Sequence, residues 1–341
     1  MSKKWLYWFE ELNSGHYELV GKKCANLGEM TGLGMRIPPG FAVSVDGYER
    51  FMAETGAGEL IRQFVRENSD ELKSVKKQME ASRVIRKIVE SQEMPPDMTE
   101  ELYRYYDELK QRAAADEIAV AVRSSGAVSM PGQMETYLNV RGREAVVRKV
   151  IEVWGSAFTT RAIAFRIEKG MAMEKAPIGV AVLKMVEAKS AGVVLTVLPT
   201  IGDTSKIVVE GNWGLGESVV SGDINPDQFI VDKQSGCVEC TVNRKTKMIV
   251  YKDSGTATAD VPEDLQSRRC VDEEELKEIV RIATEVESYF QCPQDMEWVL
   301  DHSGSCPHNL YWVQARPAKF SKPMEKESEY LAELMTRMFK C

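Results

Sequence analysis

Arg123-Ser124-Ser125-Gly126 stands at the exit of an apolar run, Ile118–Val122, and leads into a loop of small residues, Ser129–Gly132. An arginine placed there, beside backbone N–H groups left over at a strand end, can cradle an anion. The plainer reading is a surface arginine. A second group, Asp295, Glu297, Gln314 and Arg316, lies on the segments expected to form the chain's last hairpin, Asp295–Asp301 and Asn309–Gln314. Strand alternation puts Asp295 and Glu297 on one face, and Gln314 and Arg316 on one face. If the two faces coincide, two oxygen ligands for magnesium stand beside a guanidinium for phosphate. If they do not, the residues are an exposed polar hairpin surface.

Other candidates are weaker. Gly211-Asn212-Trp213-Gly214-Leu215-Gly216 is glycine-rich but lacks the Lys-Ser/Thr that would hold phosphate and magnesium, so a tight turn explains it equally well. Cys237 and Cys240 have the spacing of half a zinc knuckle, yet no second pair follows and both fall in an alternating strand. Cys292, His302, Cys306 and His308 gather around one loop whose Ser303-Gly304 and Pro307 mark a solvated turn. GxxxxGK[ST], GxGxxG, HExxH and GxSxG are all absent.

The elements that must carry these groups follow from hydrophobic period and from Gly and Pro punctuation. Trp5–Phe9 reads as a strand, Gly21–Leu33 as a helix, and Phe41–Val45 as a strand. From Ser44 to about Arg112 apolar residues recur at three- and four-residue intervals, which predicts an N-terminal helical subdomain. Beyond Glu117 the texture changes. Ile118–Val122 is a buried-strand run, Ala145–Ala164 a helix, and Ile178–Glu187 with Ala191–Val197 a pair of strands. Strands at Lys206–Glu210, Gln228–Asp232, Gly236–Asn243 and Met248–Lys252 follow, then a helix over Asp272–Phe290 and the final hairpin. The expected class is α+β with two lobes. The segments are 1–112 (N-terminal lobe with the helical subdomain), 113–230 (central lobe), 231–320 (the C-terminal part of that lobe) and 321–341 (a C-terminal helix).

Composition narrows the function. With 44 Lys+Arg against 52 Asp+Glu, the 341-residue chain carries a net charge of −8 and no basic cluster, which argues against nucleic acid as a partner. Acidic residues appear by Glu10 without an apolar leader, and the seven cysteines are scattered, so the expected location is cytoplasmic. The most apolar stretch, Ile178–Pro199, is broken by Lys184, Glu187 and Lys189, so no membrane span is expected.

Eight strings occur in a telling order: Val20-Gly21-Lys22-Lys23-Cys24-Ala25-Asn26-Leu27-Gly28-Glu29-Met30, Ile37-Pro38-Pro39-Gly40-Phe41, Val122-Arg123-Ser124-Ser125, Pro131-Gly132-Gln133-Met134-Glu135-Thr136-Tyr137-Leu138-Asn139, Gly214-Leu215-Gly216-Glu217-Ser218-Val219-Val220, Asn225-Pro226-Asp227, Met296-Glu297-Trp298 and Gln314-Ala315-Arg316-Pro317. Together, over about residues 5–320, they resemble the ATP-binding region of the phosphoenolpyruvate synthase and pyruvate phosphate dikinase family. The resemblance implies an ATP-grasp-like fold whose two lobes close on the nucleotide, with ATP and Mg2+ as cofactors. It implies that Lys23 and Arg123 contact the phosphates and that Gly132 and Thr136 lie in the loop covering them. Leu183, Lys184 and Met185 would lie beside the adenine, Glu297 and Gln314 would hold the metal, and Arg316 would brace the transferring phosphate. Arg123, Arg316 and Glu297 would thus be the catalytic set, as phosphoryl transfer relies on cations and metal where charge develops.

Three departures from the family pattern matter. The short Gly126–Pro131 stretch resembles the dikinase version, leaving open whether water or inorganic phosphate takes the second phosphate. Leu183 stands where many members carry glutamine, which leaves recognition there to the backbone. His16, His302 and His308 lie outside any Thr-Ser-His-Ala-like string, the family's phospho-carrier. The implied partner is therefore a separate subunit bearing the phospho-accepting histidine and the acceptor site. A stand-alone region of this size resembles the smaller subunit of phenylphosphate synthases; a split phosphoenolpyruvate synthase and a non-catalytic nucleotide sensor are the alternatives. Met324–Phe339 places its apolar residues largely on one helical face, either packing on the body or docking the partner.

Overall fold

The computed structural model describes residues 3–69, 72, 74–126 and 135–320. Gly132 and the expected helix at 321–341 lie outside the described residues. The chain divides into two compact units, Met1–Glu187 with Val250–Ala257, and Ala188–Ile249 with Thr258–Cys341.

In the first unit β1 (Leu6–Trp8), α1 (Tyr17–Gly32) and β2 (Gly40–Val43) precede a helical run, α2 (Val45–Glu54), α3 (Ala57–Glu67), α4 (Val75–Glu90) and α5 (Pro96–Arg112). There follow β3 (Ala119–Gly126), β4 (Thr136–Arg141), α6 (Arg143–Ser156), α7 (Thr160–Glu168) and β5 (Ile178–Lys184). The strands form one antiparallel sheet in the order β1-β2-β5-β3-β4. Trp5, Phe41, Tyr48, Phe51, Trp154 and Phe158 are fully buried, and the Phe51 and Trp154 rings lie 4.8 Å apart. Burial of each such side chain contributes about 1.5–3 kcal/mol.

Two expectations change here. The single helix over Ala145–Ala164 is two helices, because Thr159 adopts an extended backbone and its Oγ1 accepts from Ala162 N (3.3 Å), capping α7. The helical subdomain also shares one apolar core, running from Trp5 to Val182, with the strands that follow it. Accordingly the compact units do not divide at 112/113.

In the second unit β6 (Ala188–Leu195), β7 (Lys206–Trp213), the short α8 (Glu217–Ser221), β8 (Asp227–Asp232) and β9 (Val238–Thr241) lead to the ribbon β10 (Lys247–Tyr251) and β11 (Thr256–Asp260), of which Val250–Ala257 belongs to the first unit. Then come α9 (Glu273–Phe290), β12 (Gln294–Asp301) and β13 (Leu310–Pro317). The main sheet runs β13-β12-β6-β7-β8-β9, all antiparallel. The start of α9 is fixed by a capping box: Glu275 N donates to Asp272 Oδ1 (2.8 Å) and Asp272 N to Glu275 Oε2 (2.9 Å). The expected boundary at 230/231 falls inside β8, which is paired with β7 along its length, so the sheet continues through it.

The strands expected to pair over 178–187 and 191–197 do not pair with each other. β5 lies between β2 and β3, whereas β6 lies between β12 and β7. β5 is buried from Ile178 through Leu183, and such a strand needs partners on both edges, which β2 and β3 supply.

Candidate functional site

In the first unit the site begins with a broken helix. Gly21, inside α1, has φ 75 and ψ 166, so regular helix restarts at Lys22 and places Lys23 in its first turn. A Cβ on Gly21 would lie 2.6 Å from Ser125 Oγ and closer still to the Ser125 carbonyl, so the backbones approach as only glycine permits. The approach is held by Cys24 N donating to Ser125 Oγ at 3.1 Å. This bond joins the Lys23 turn to the strand that carries Arg123. Cys24 is fully buried, and burial pushes its thiol up to about 12, so it is packing rather than a nucleophile.

On β3, Arg123 stands directly opposite Thr136 of β4 and Ala181 of β5. Opposed residues share a sheet face, so Arg123 and the exposed Thr136 project together. Leu183 lies two residue pairs along the same face, opposite Ala121, and is buried. Lys184 N donates to Pro39 O and Met185 N to Ala119 O, both at 2.8 Å. Backbone recognition at Leu183–Met185 therefore cannot draw on those two N–H groups, because the sheet already uses them. Arg123 and Thr136 thus share one sheet face, and the helical turn that carries Lys23 is bonded to the strand that carries Arg123.

In the second unit the hairpin answers the question of faces. Asp295 is opposite Arg316 and Glu297 opposite Gln314 across β12 and β13. Gln314 Nε2 donates to Glu297 Oε1 at 2.8 Å, and Arg316 Nε donates to Asp295 Oδ2 at 2.9 Å. The four residues share one face. Burial raises the Asp295 carboxyl above its ordinary value, and the Arg316 guanidinium offsets part of that rise. A carboxylate and a side-chain amide oxygen are the hard donors magnesium takes, with water and nucleotide oxygens completing an octahedron. The Glu297–Gln314 pair fits that ion.

The expected glycine-rich turn is instead mostly strand: Gly211–Trp213 close β7, paired with β6, and Gly214 and Leu215 bridge to Ile249. Gly214 N donates to Lys189 O (3.0 Å) and Leu215 N to Ile249 O (2.9 Å), so two of its N–H groups serve the fold. Gly214 has φ 72, and a Cβ there would collide with the Ile249 carbonyl. Two features were not read from the sequence. Lys245 Nζ donates to Asp227 Oδ1 at 2.6 Å with both side chains fully buried, and Asp227 also accepts from Asn243 N (3.1 Å) and Cys270 N (2.9 Å). Asn139, 1% exposed with φ 53, donates from Nδ2 to Gly255 O at 2.9 Å. Both residues lie in strings that stood out, Asn225-Pro226-Asp227 and Thr136–Asn139, but nothing in spacing discloses their partners.

A two-unit α+β chain with a cation cradle on one sheet and a carboxylate–amide–guanidinium face on the other has the parts of a nucleotide-binding phosphotransferase domain. The pyruvate phosphate dikinase AMP/ATP-binding domain family matches residues 17–336, and the chain, an α+β fold, belongs to that family. It is an ATP-binding domain.

Among relatives, the probable phosphoenolpyruvate synthase of Methanocaldococcus jannaschii is 35% identical over 96% of this chain and 28% of its own length. That of Methanothermobacter thermautotrophicus is 36% identical over 96% of this chain and 48% of its own. The phosphoenolpyruvate synthase of Aeropyrum pernix is 34% identical over 99% of this chain and 46% of its own. The chain thus spans between 28% and 48% of the length of these relatives. Among solved structures, D-alanyl-alanine synthetase A from Vibrio cholerae is matched over 71% of this chain and 56% of its own at 12% identity, with a TM-score of 0.29, too distant to carry an argument. No helix among the described residues is long and apolar enough to cross a membrane.

Proposed function

We propose that this chain is the ATP-binding subunit of a split dikinase. It holds Mg-ATP, which is cleaved to AMP while one phosphoryl group passes to a histidine of a partner subunit and the second to water or inorganic phosphate. The partner then phosphorylates a small acceptor. The observation that carries this reading is the shared face of Asp295, Glu297, Gln314 and Arg316. Glu297 and Gln314 would hold the metal, which when bound neutralises phosphate oxygens as charge develops on them. Arg316, oriented by Asp295, would sit against the transferring phosphoryl group. Lys23 and Arg123, with Thr136, would bind the remaining phosphate oxygens, and Leu183–Met185 would flank the base. Each cation acts by binding the charge of the transition state rather than by covalent chemistry.

The histidines of the chain support an acceptor on another subunit. His302 and His308 belong to the turn between β12 and β13, whereas Asp295 and Arg316 pair at the other end of that hairpin, about 20 Å away at about 3.4 Å per residue. His16 Nδ1 accepts from Asn13 N at 3.1 Å. Neither His302 nor His308 stands beside Arg316.

For the acceptor we favour phenol, as in phenylphosphate synthases, on the likeness to their smaller subunit. Pyruvate is the second reading, favoured by the relatives' names, phosphoenolpyruvate synthase. The purified chain should bind Mg-ATP with almost no ATPase activity. Adding a histidine-bearing partner and each acceptor in turn should give AMP with one acceptor and not the other. Rapid AMP formation by the chain alone would overturn the proposal.

A further inference from the structure

β4 is irregular at one point. Between the pairs Val122–Tyr137 and Val120–Val140 it has two residues, Leu138 and Asn139, where β3 has one, Ala121. In this bulge Asn139 takes φ 53, a left-handed backbone that asparagine tolerates better than most side chains but that still costs energy. On its other side Ala121 is opposite Leu183, so the bulge lies across β3 from the segment Leu183–Met185.

The bonds made by the bulge account for its cost. The Asn139 N–H donates to Met185 Sδ at 2.8 Å. Its Nδ2 donates to two carbonyls, of Gly255 (2.9 Å) and of Lys252, and its Oδ1 accepts from Arg141 Nε (3.0 Å), so both ends of this buried amide are occupied and its orientation is fixed. Lys252 N donates to Gly255 O at 3.2 Å and closes the turn between β10 and β11, within the part of the ribbon that belongs to the first unit. Beside that turn Tyr251 OH donates to Val186 O at 2.6 Å. One short strap is thus bonded at two points, to the bulge on β4 and to the residue that follows Met185. A backbone held in a costly conformation persists where its surroundings over-determine it, and such places cluster at ligand sites.

We infer that Asn139 is a positioning residue for the nucleobase: by fixing the 252–255 turn and the Met185 side chain it makes the Leu183–Met185 segment a rigid wall that selects adenine over other purines. The inference rests on the reading that this segment flanks the base. A fixed wall rejects a base whose exocyclic groups differ, whereas a loosened methionine side chain repacks around it.

The test is calorimetric titration of the full chain with Mg-ATP, Mg-GTP and inorganic tripolyphosphate. The wild-type chain should prefer ATP to GTP. Asn139→Gly, in which glycine accepts the positive φ, should lower that preference by about tenfold or more. Tyr251→Phe, which removes one hydroxyl and keeps the ring, should lower it less, at an unchanged melting temperature. Tripolyphosphate has no base and should bind all three chains alike. Equal affinity of the wild type for ATP and GTP, a preference retained in both variants, or an equal loss of affinity for all three ligands would overturn the inference; if Asn139→Gly does not fold, Tyr251→Phe decides alone. Met185→Ala separates the two readings. A preference left intact in that variant would refute the placement of the base at Leu183–Met185 and the inference with it, whereas a preference lost there but kept in Asn139→Gly and Tyr251→Phe would refute the inference alone.

Discussion

Arg316 directs two of its nitrogens, Nε at 2.9 Å and Nη2 at 2.8 Å, to the same oxygen of Asp295, its cross-strand neighbour. A guanidinium held in this way loses little freedom on meeting a phosphate, which is how orientation becomes rate. The holding depends on Asp295 being charged, and burial works against that charge.

Asp295→Asn should therefore act in two ways. Phosphorylation of the partner should fall, with nucleotide affinity less affected. On stability, a carboxyl raised in the fold contributes fully below its unfolded pKa, and the contribution is lost as pH rises through the folded value. The melting temperature of Asp295→Asn relative to wild type should thus increase from about pH 4 to about pH 7. A difference that falls with pH would refute this account of Asp295.

The clamp assignments separate from ordinary surface charge. Arg123→Ala and Arg316→Ala each remove a charge-assisted contact strengthened in the transition state, so single-turnover phosphorylation of the partner should drop by about 100-fold or more. Arg143 is exposed and stacks on Tyr103 at 4.6 Å, and Arg244 Nε donates to Gln266 Oε1 at 3.0 Å on the surface. Their alanine variants should be nearly silent. Equal losses in all four would misplace the site.

The joint between the Lys23 turn and the Arg123 strand is testable through Gly21 and Ser125. Gly21→Ala places a Cβ against Ser125 at a positive φ and should destabilise the chain by more than about 1 kcal/mol in urea unfolding. Ser125→Ala leaves Cys24 N without its acceptor, costing about 1–3 kcal/mol, and should weaken ATP binding measured by calorimetry. Full ATP affinity in both variants would sever this joint from the phosphate site.

The buried pair Asp227–Lys245 predicts a coupling. Lys245→Met alone strands a buried carboxylate and should cost about 3–5 kcal/mol, whereas Asp227→Asn combined with Lys245→Met should recover much of that loss. Additive losses in a double-mutant cycle would contradict the pairing.

How far the sequence discloses this site depends on the range of the contacts. Asp295 and Glu297 are two residues apart, as are Gln314 and Arg316, so strand alternation alone places each couple on a face, but the long connection over residues 302–309 leaves the register open, and only the pairing of β12 with β13 makes the two faces coincide. Local helical period likewise marks α2 through α5. The Cys24–Ser125 bond spans 101 residues and the Asp227–Lys245 pair lies inside a core, and neither has a periodic signature. Partner choice for β5 and β6 is not legible in the sequence, because both are apolar and adjacent in the chain. β5 is bonded instead to β2 and β3, and β6 to the next strand β7 and the distant β12, and only the assembled sheets decide that.

The most direct test of the whole account follows one phosphorus atom. ATP labelled at the β-phosphate is given to the chain together with a histidine-bearing partner, and the two polypeptides are separated under denaturing conditions. The account predicts unlabelled AMP and label on the partner alone, in an acid-labile, base-stable linkage, with neither formed when the partner is omitted. Label held covalently by this chain, or AMP released at the same rate without the partner, would contradict it.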